Sequence, residues 1–119
     1  MTRRDILQGT LDLLVLRTLA GATKHGYQIA REIKASSGDV LQVEEGALYP
    51  ALHRLEGREW VKARWGRSEN RRRAKFYSLT AAGRRALEAE ARSWAEYVHA
   101  VACVMDGSHI EPDPAGEVS

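Results

Sequence analysis

Cationic side chains are concentrated in one short stretch of the chain, where their spacing suits contact with anions. Between residues 62 and 75 there are seven Lys or Arg and one acid, Glu69, which gives this stretch a net charge of +6, whereas the whole chain of 119 residues carries +2. Arg71, Arg72 and Arg73 are adjacent, and such guanidinium groups repel one another unless an anion offsets them. We therefore expect contact with phosphates or a minor groove. A solvated charged turn is the alternative interpretation.

The flanking residues indicate that this stretch is the tip of a β-hairpin that follows a short helix. Strand-like residues run from Trp60 to Trp65 and from Lys75 to Leu79, with a turn at residues 66–73. Upstream, residues 44–58 have apolar side chains at i, i+3, i+4 and i+7, namely Leu48, Ala51, Leu52 and Leu55. This order predicts a mainly α (α+β) fold, a winged helix-turn-helix with a long C-terminal dimerisation helix.

The outer face of this third helix carries the candidate groups for base contacts. It would present Tyr49, Pro50, His53 and Arg54. Pro50 lacks an amide hydrogen, so it must lie in the first turns of the helix or bend it. Arg54 is the strongest candidate for direct contact with base edges, while Tyr49 and His53 suit bases or phosphates. Simple solvation of an exposed face is the alternative.

Two further helices are predicted upstream. The first spans Leu11–Ala20 with Thr10 as its cap, and the second spans Gly26–Ser37 after a loop at residues 22–25. The first would turn Leu7, Leu11, Leu14, Val15 and Leu19 toward the core. The second would turn Tyr27, Ile29, Ala30 and Ile33 inward.

A long last helix is predicted from Ala81 to Met105, with Thr80 as its cap. Its apolar residues are spaced 4, 3, 4, 3 and 4 apart, at Leu87, Ala91, Trp94, Val98, Val101 and Met105. This heptad pattern is typical of a helix that packs on another helix. The winged domain closes around its own three helices, so the expected partner is a second copy of the chain.

Three residues of the last helix have alternative interpretations. Trp94 either packs in the dimer interface or forms the wall of a pocket for a flat apolar ligand. His99 and Cys103, four residues apart, would supply half of a metal site that the partner chain completes. The chain has four histidines and shows no other ligand spacing. We therefore predict no metal and no cofactor, with Cys103 as a small buried apolar residue.

Composition narrows the class of protein. The longest apolar runs fall short of the roughly 20 residues that span a bilayer, and one cysteine excludes an intramolecular disulfide. Phosphate loops, nucleophile elbows and paired-cysteine motifs are missing, so an enzyme is not expected. We predict a cytoplasmic, nucleoid-associated protein that has a winged-helix domain at residues 1–80, a dimerisation helix at 81–105 and a disordered acidic tail at 106–119.

Several motifs together resemble the PadR family of bacterial transcriptional regulators, in the short subtype with one C-terminal helix. The motifs are His25-Gly26-Tyr27-Gln28-Ile29, residues 45–56 around Leu-Tyr-Pro-Ala-Leu, Ser68-Glu69-Asn70, residues 72–77, and Leu79-Thr80-Ala81-Ala82-Gly83. The resemblance covers about Leu7 to Trp94. It implies a homodimeric winged-helix repressor that often regulates its own operon and is released by a small molecule.

The resemblance also implies which residues act. Residues of the recognition-helix motif are Glu45, Gly46, Ala47, Tyr49, Pro50, His53 and Arg54, and those of the wing are Arg67, Asn70, Arg71, Arg72, Arg73 and Lys75. Dimer contacts are expected from the last helix with help from the first, which would include Leu11 and Leu14. In some multidrug-responsive relatives an aromatic residue on the last helix, at a place comparable to Trp94, lines an effector pocket between subunits.

The chain departs from the family pattern at two positions. Glu59 stands where a glycine commonly precedes the first wing strand, while Gly57 appears earlier, so a reshaped exit from the third helix is expected. Glu44 stands where a small polar cap is common. Its carboxylate would repel a phosphate, which predicts a weaker backbone contact there or a side chain that turns away.

These observations predict a sequence-specific, homodimeric transcriptional regulator, most simply a repressor, that binds a palindromic operator in double-stranded DNA. Half-sites would lie about one helical turn apart. Release by a small apolar or phenolic effector is a further hypothesis. The alternatives are a winged-helix module that binds another protein and a DNA-coating protein without sequence preference. The first would need apolar groups on the outer face of the third helix.

Overall fold

The computed structural model describes residues 4–5 and 8–107, which form four helices and five strands. Their order is β1 (Arg4–Asp5), α1 (Gln8–Leu19), β2 (Lys24–His25), α2 (Gly26–Ser36), β3 (Leu41–Gln42), α3 (Glu45–Gly57), β4 (Val61–Arg67), β5 (Arg73–Leu79) and α4 (Ala81–Asp106). The predicted fold, a helix-turn-helix with a hairpin wing and a long last helix, is confirmed. Leu7 and most of the predicted tail, from residue 108 onward, lie outside the described residues.

The core lies between α1, α2 and α3 and is closed on one side by the sheet. All four apolar residues predicted for α3 are buried, as are Ile29 and Ile33 of α2. Leu11, proposed as a dimer contact, is only 2% exposed and belongs to this core. That assignment is therefore wrong, because a side chain without accessible surface cannot reach a second chain. Leu14 is half-buried at the edge of the core.

Helix α1 starts earlier than predicted. Thr10 lies inside its first turn instead of capping it, and the helix ends at Leu19. Helix α2 begins where the sequence indicated, but its cap is His25, whose Nδ1 accepts a hydrogen bond from the Gln28 amide. The Gln28 side chain accepts in return from the His25 amide, which completes a capping box.

Tyr27, predicted to face the core, is 66% exposed. Ile29 and Ile33 are buried and Ala30 packs partly against the core, as predicted, whereas Tyr27 lies two positions before Ile29 and therefore on a different side of the helix. The inward assignment of Tyr27 is wrong.

The wing belongs to a three-stranded antiparallel sheet in the order β2-β5-β4. Strand β5 pairs with β4 from Val61↔Leu79 to Arg67↔Arg73, so both wing strands extend further toward the tip than predicted. On its other side β5 pairs with Lys24 and His25, which the sequence had assigned to a loop. A two-residue strand is too short to show an alternating pattern. The same is true of the parallel pair formed by β1 and β3.

The backbone between α3 and the wing shows how Glu59 affects the end of the helix. The Glu59 backbone is left-handed, with φ of 63°, the conformation that favours glycine at the end of a helix. The amides of Glu59 and Trp60 donate to the carbonyls of Glu56 and Leu55, at 2.9 and 3.0 Å, as in an ordinary glycine-terminated helix. The exit from α3 is therefore not reshaped, and Glu59 adopts the glycine conformation at a cost in strain.

The start of α4 is fixed against this same link. Thr80 caps the helix, as predicted, because its Oγ1 accepts from the Gly83 amide at 3.0 Å, and it also donates to the Glu59 carbonyl at 2.7 Å. A Cβ atom at Gly83 would collide with the Trp60 carbonyl. Glycine at position 83 therefore allows the first turn of α4 to approach the backbone before β4.

The chain divides into two compact units, residues 1–88 and 89–119. The first includes the start of α4 up to Glu88, and Leu87 packs partly against the core. In the second, the α4 residues from 89 to 106 are exposed apart from Cys103. Among the described residues no helix combines the length and apolarity needed to cross a membrane.

Candidate nucleic-acid interface

Most of the predicted recognition residues lie on the exposed side of α3. Glu45, Gly46 and Ala47 are exposed in its first turn, followed by Tyr49, Pro50 and His53. Glu44 precedes the helix without capping it, and its carboxylate accepts a hydrogen bond from Gln42 at 2.9 Å. The Glu44 side chain is thus engaged with Gln42.

Tyr49 is held in place by a close approach between α2 and α3. A Cβ atom at Gly26 would lie 2.7 Å from the Tyr49 hydroxyl oxygen and 3.0 Å from the adjoining ring carbon. A residue with a side chain at position 26 would displace the ring from this position. Tyr49 nevertheless remains 48% exposed, so its ring is positioned by α2 and still accessible.

Arg54 does not lie on the outer face, contrary to the prediction from helical spacing. Its Nη2 donates to Oδ1 of Asp12 on α1 at 2.7 Å, and the two side chains are 31% and 18% exposed. The Arg54 Nε is buried without a hydrogen-bond partner. The guanidinium therefore joins α3 to α1, and the interpretation of Arg54 as the strongest base reader loses its geometric basis.

The wing tip is a five-residue turn from Ser68 to Arg72. The Ser68 amide donates to the Arg72 carbonyl at 2.9 Å, and Arg71 adopts a left-handed φ of 61°. Such a residue at the end of a turn is typical of hairpins whose loop ends in a bulge. Arg71, Arg72 and Arg73 are all exposed, and none of them forms an ion pair within the described part of the chain.

Contacts along the wing and with α3 restrain some of the predicted DNA-binding side chains. The Arg73 guanidinium lies 4.4 Å from the centre of the Trp65 ring, and Arg67 donates to the Arg71 carbonyl at 3.2 Å. Lys75 forms an ion pair with Glu56 of α3 at 3.6 Å. These interactions restrain the strands of the wing and restrict the positions of its cationic side chains.

Glu69 does not pair with the arginines beside it in the wing. Its Oε1 lies 3.8 Å from Nε2 of His25, across the turn from the wing to the start of α2. His25 is part of β2, beside Phe76, and contacts that ring edge-on at 5.3 Å. The acid at the tip therefore faces the helix-turn-helix instead of the adjacent guanidinium groups.

A cleft of about 1010 Å³ separates α2 and α3 from the wing. It brings together Tyr49, His53, Asn70, Arg72, Arg73 and Lys75 from the predicted set. Outside its lining are Glu45, Gly46, Ala47, Pro50, Arg54, Arg67 and Arg71. Among the lining residues that sequence reasoning did not assign to the interface are His25, Tyr27, Arg31 and Trp65.

Cations outnumber acids in the lining of this cleft. Arg31, Arg72, Arg73 and Lys75 face Glu56 and Glu69, so four cations minus two acids leave a net charge of +2. Burial, followed by the charge of Glu56, raises the pKa of Tyr77 and keeps this phenol neutral. The cleft thus has the electrostatic character of an anion site.

On α4, the His99 and Cys103 pair, considered above as an alternative metal half-site, and the apolar stripe lie on different sides of the helix. Cys103 Sγ is 3.6 Å from His99 Nε2. Helical geometry places both opposite Val98 and Val101, so a chain packed on the stripe would not complete a site with them. In the described residues no group of three or more candidate ligands is close enough to hold a metal ion. Cys103 is half-exposed, not buried as expected.

Comparison with known proteins decides the family. Residues 15–89 match the Transcriptional regulator PadR-like family, a range that includes α2, α3, the wing and the start of α4. The chain belongs to the PadR family. This PadR protein is 32% identical over 107 residues to uncharacterized protein X of Lysinibacillus sphaericus, an alignment that covers 90% of the chain and 98% of that relative.

Solved structures agree with this assignment. A PadR family transcription regulator from Clostridium difficile R20291 is 28% identical, with a TM-score of 0.68 over 82% of this chain and 98% of that one. A Streptococcus mutans UA159 protein, 24% identical, has a TM-score of 0.78 over 92% and 98%, which supports the fold alone. The PadR protein described here is thus a DNA-binding transcriptional regulator and not an enzyme.

Proposed function

We propose that this PadR protein is a homodimeric repressor that binds a palindromic operator through α3 and the wing of each protomer. The observation that carries the proposal is the pairing of an exposed α3 face with uncompensated wing arginines on either side of one cleft. Exposed residues at the start of α3, with Tyr49 and His53, would meet base edges in the major groove. Wing arginines would meet phosphates or the adjacent minor groove.

The wing contribution can be measured from the salt dependence of binding. Replacing Arg71 by Gly, because of its left-handed backbone, and Arg72 and Arg73 by Ala removes three exposed cations. Each phosphate contact contributes about 0.9 to the slope of log K against log salt, so the slope should fall by up to ~3. An unchanged slope in fluorescence anisotropy titrations would mean that the wing does not touch phosphates.

The second protomer is proposed to pack on the apolar stripe of α4. Trp94, Val98 and Val101 are 43%, 44% and 41% exposed, and Met105 is 80% exposed. Tyr97 and Val104, at 63% and 74%, widen the stripe beyond a two-residue heptad seam. An isolated helix that exposes this much apolar surface is a predicted interaction face.

Paired charge substitutions on α4 test dimerisation in the full-length chain. Val98→Glu with Val101→Glu puts two acids on the stripe, and these should shift the mass measured by light scattering to that of a monomer. The matched control is His99→Glu with Cys103→Glu, which adds the same acids on the opposite side of the helix. A dimer that withstands the first pair and not the second would place the interface on the other side of α4.

Operator specificity separates the proposal from its alternatives. A repressor should bind the region upstream of its own gene more tightly than a mixed-sequence duplex by about 10³-fold or more. Equal affinities would favour a DNA-coating protein. Failure to bind any duplex would favour a protein-binding module, although the outer face of α3, with Glu45 and His53 exposed, offers few apolar groups for one.

An effector site is proposed beside Trp94, whose ring lies next to a second exposed aromatic ring, that of Tyr97. The rings of Trp94 and Tyr97 lie 6.1 Å apart with 36° between their planes. A planar apolar or phenolic ligand would stack on this pair. Trp94→Ala should abolish release from DNA by such a compound, as measured by anisotropy, in samples that light scattering shows to be dimeric. Retained release would exclude Trp94 from the effector site.

A further inference from the structure

We infer that α2 supplies a DNA-backbone contact of its own, formed by Tyr27 and Arg31 on the wall of the cleft that faces the wing. The inference rests on the proposed DNA binding and adds a third element to α3 and the wing. Neither residue was expected at the interface, because their position on the wall of the cleft becomes apparent only in the folded chain.

The two side chains form one exposed unit. Tyr27 is 66% exposed, and the Arg31 guanidinium carbon lies 5.5 Å from the centre of its ring. Residues four apart share a face of a helix, and stacking on an aromatic ring restricts the guanidinium. A phenol and a guanidinium held side by side are two donors that suit phosphate oxygens.

Arg31 is free to take an anion from outside the protein. The neighbouring acid of α2, Glu32, is paired with Lys24 at 3.4 Å. The cleft acids are engaged elsewhere: Glu56 pairs with Lys75, and Glu69 faces His25. Within the described residues, Arg31 has no carboxylate within ion-pair distance.

A buried donor next to Tyr27 marks the same wall of the cleft. His25 lines the cleft and is only 8% exposed. Its Nδ1 accepts a hydrogen bond from the Gln28 amide, so Nε2 is the ring nitrogen that carries a proton. That buried Nε2 has no hydrogen-bond partner, since the Glu69 oxygen at 3.8 Å is beyond hydrogen-bond distance. The wall that carries Tyr27 and Arg31 therefore also holds an unsatisfied buried donor.

Docking geometry indicates which part of DNA would meet these donors. If α3 enters the major groove and the wing reaches the adjacent minor groove, the sugar-phosphate strand between the two grooves must pass through the cleft. The wall formed by α2 then faces phosphates instead of base edges. Contacts from Tyr27 and Arg31 should consequently add affinity without sequence discrimination.

The test compares salt slopes for full-length variants on two duplexes, the upstream region and a mixed sequence. Arg31→Ala should reduce the slope by about 0.9 and weaken binding about fivefold at 0.15 M salt, equally on both duplexes. Tyr27→Phe retains the ring and removes the hydroxyl, which should weaken binding about tenfold with no change in slope. Arg17→Ala, an exposed cation on α1 lining a groove that does not include Tyr27 or Arg31, is the matched control and should not change the slope.

The outcomes distinguish this inference from the proposed function. If the wing variant loses slope while Arg31→Ala binds with the wild-type slope, α2 does not contact phosphate and the proposed function still stands. Unchanged affinity of Tyr27→Phe overturns the role of its hydroxyl. A wild-type chain that binds neither duplex overturns both proposals. Thermal unfolding of each variant, followed by circular dichroism, verifies that the losses do not come from misfolding.

Discussion

The Arg54–Asp12 ion pair leads to a prediction opposite to the one that the sequence alone suggested. Helical spacing predicted that Arg54 contacts base edges, so that its removal would relax discrimination between DNA sequences. In the structure its guanidinium is bound to Asp12 at 2.7 Å and joins α3 to α1. Arg54→Ala should therefore destabilise the fold, and the ratio of operator to mixed-sequence affinity should stay the same.

The expected magnitude follows from burial and charge. Hydrogen bonds to charged groups contribute about 1.5–3 kcal/mol when water is excluded. Because the Arg54 side chain remains 31% exposed, solvent screening lowers this value, and we expect a coupling of about 1–2 kcal/mol between the partners. With a urea dependence of about 1–2 kcal/mol per molar for a chain of this size, the midpoint should move by about 1 M.

A double-mutant cycle measures this coupling directly. Asp12→Ala, Arg54→Ala and the double variant are unfolded in urea at one protein concentration, since any dimer makes stability depend on concentration. Each single variant leaves a partly buried charge without its partner, so the double variant should be little less stable than either. His53→Ala is the control: it lies next to Arg54 but is exposed, and should alter DNA binding without moving the midpoint.

Two results would refute this reasoning. Strictly additive effects of the single variants would show that the two side chains do not interact in solution. A stable Arg54→Ala variant with relaxed base discrimination would return Arg54 to the DNA interface.

Three more outcomes can be checked by unfolding experiments. Glu59→Gly should raise the free energy of unfolding by about 0.5–1 kcal/mol, because it relieves a left-handed backbone, whereas Glu59→Ala should bring no gain. Gly83→Ala should lower it by at least ~2 kcal/mol, because a Cβ atom would strike the Trp60 carbonyl; wild-type stability in this variant would contradict the close approach. Because the pKa of Tyr77 is raised, the unfolded chain loses this proton first, so stability should fall as pH rises above about 10, and less steeply in Tyr77→Phe. Equal pH profiles would show that Tyr77 does not contribute.

Periodic patterns predicted the parts of the fold that depend on local burial. The four-residue apolar set of α3 is buried as expected, and Thr80 caps α4 where the motif placed it. The basic tip also lies at the end of a hairpin, because strand-like residues on both sides leave the charges no other position. Such features repeat over several residues, and their physical cause lies within the segment itself.

Individual side-chain roles were predicted less well where they depend on distant neighbours. Tyr27 and Arg54 were assigned by helical spacing to the wrong sides, since the spacing shows which residues share a face and not which other elements approach that face. Asp12 lies 42 residues before Arg54, and no local signal indicates that the two meet. The His25–Glu69 contact has the same origin, because β2 pairs with β5 only after the chain has folded.

The sequence by itself determined the order of elements, the position of the positive charge and the apolar stripe on α4, because these follow from residue type and spacing along one segment. The tertiary structure decided which cations are free and which are already paired, and it assembled a cleft from α2, α3 and the wing. That division has a physical reason: secondary structure and charge density are local properties, whereas the partner of a side chain depends on residues that folding brings within a few ångströms of it.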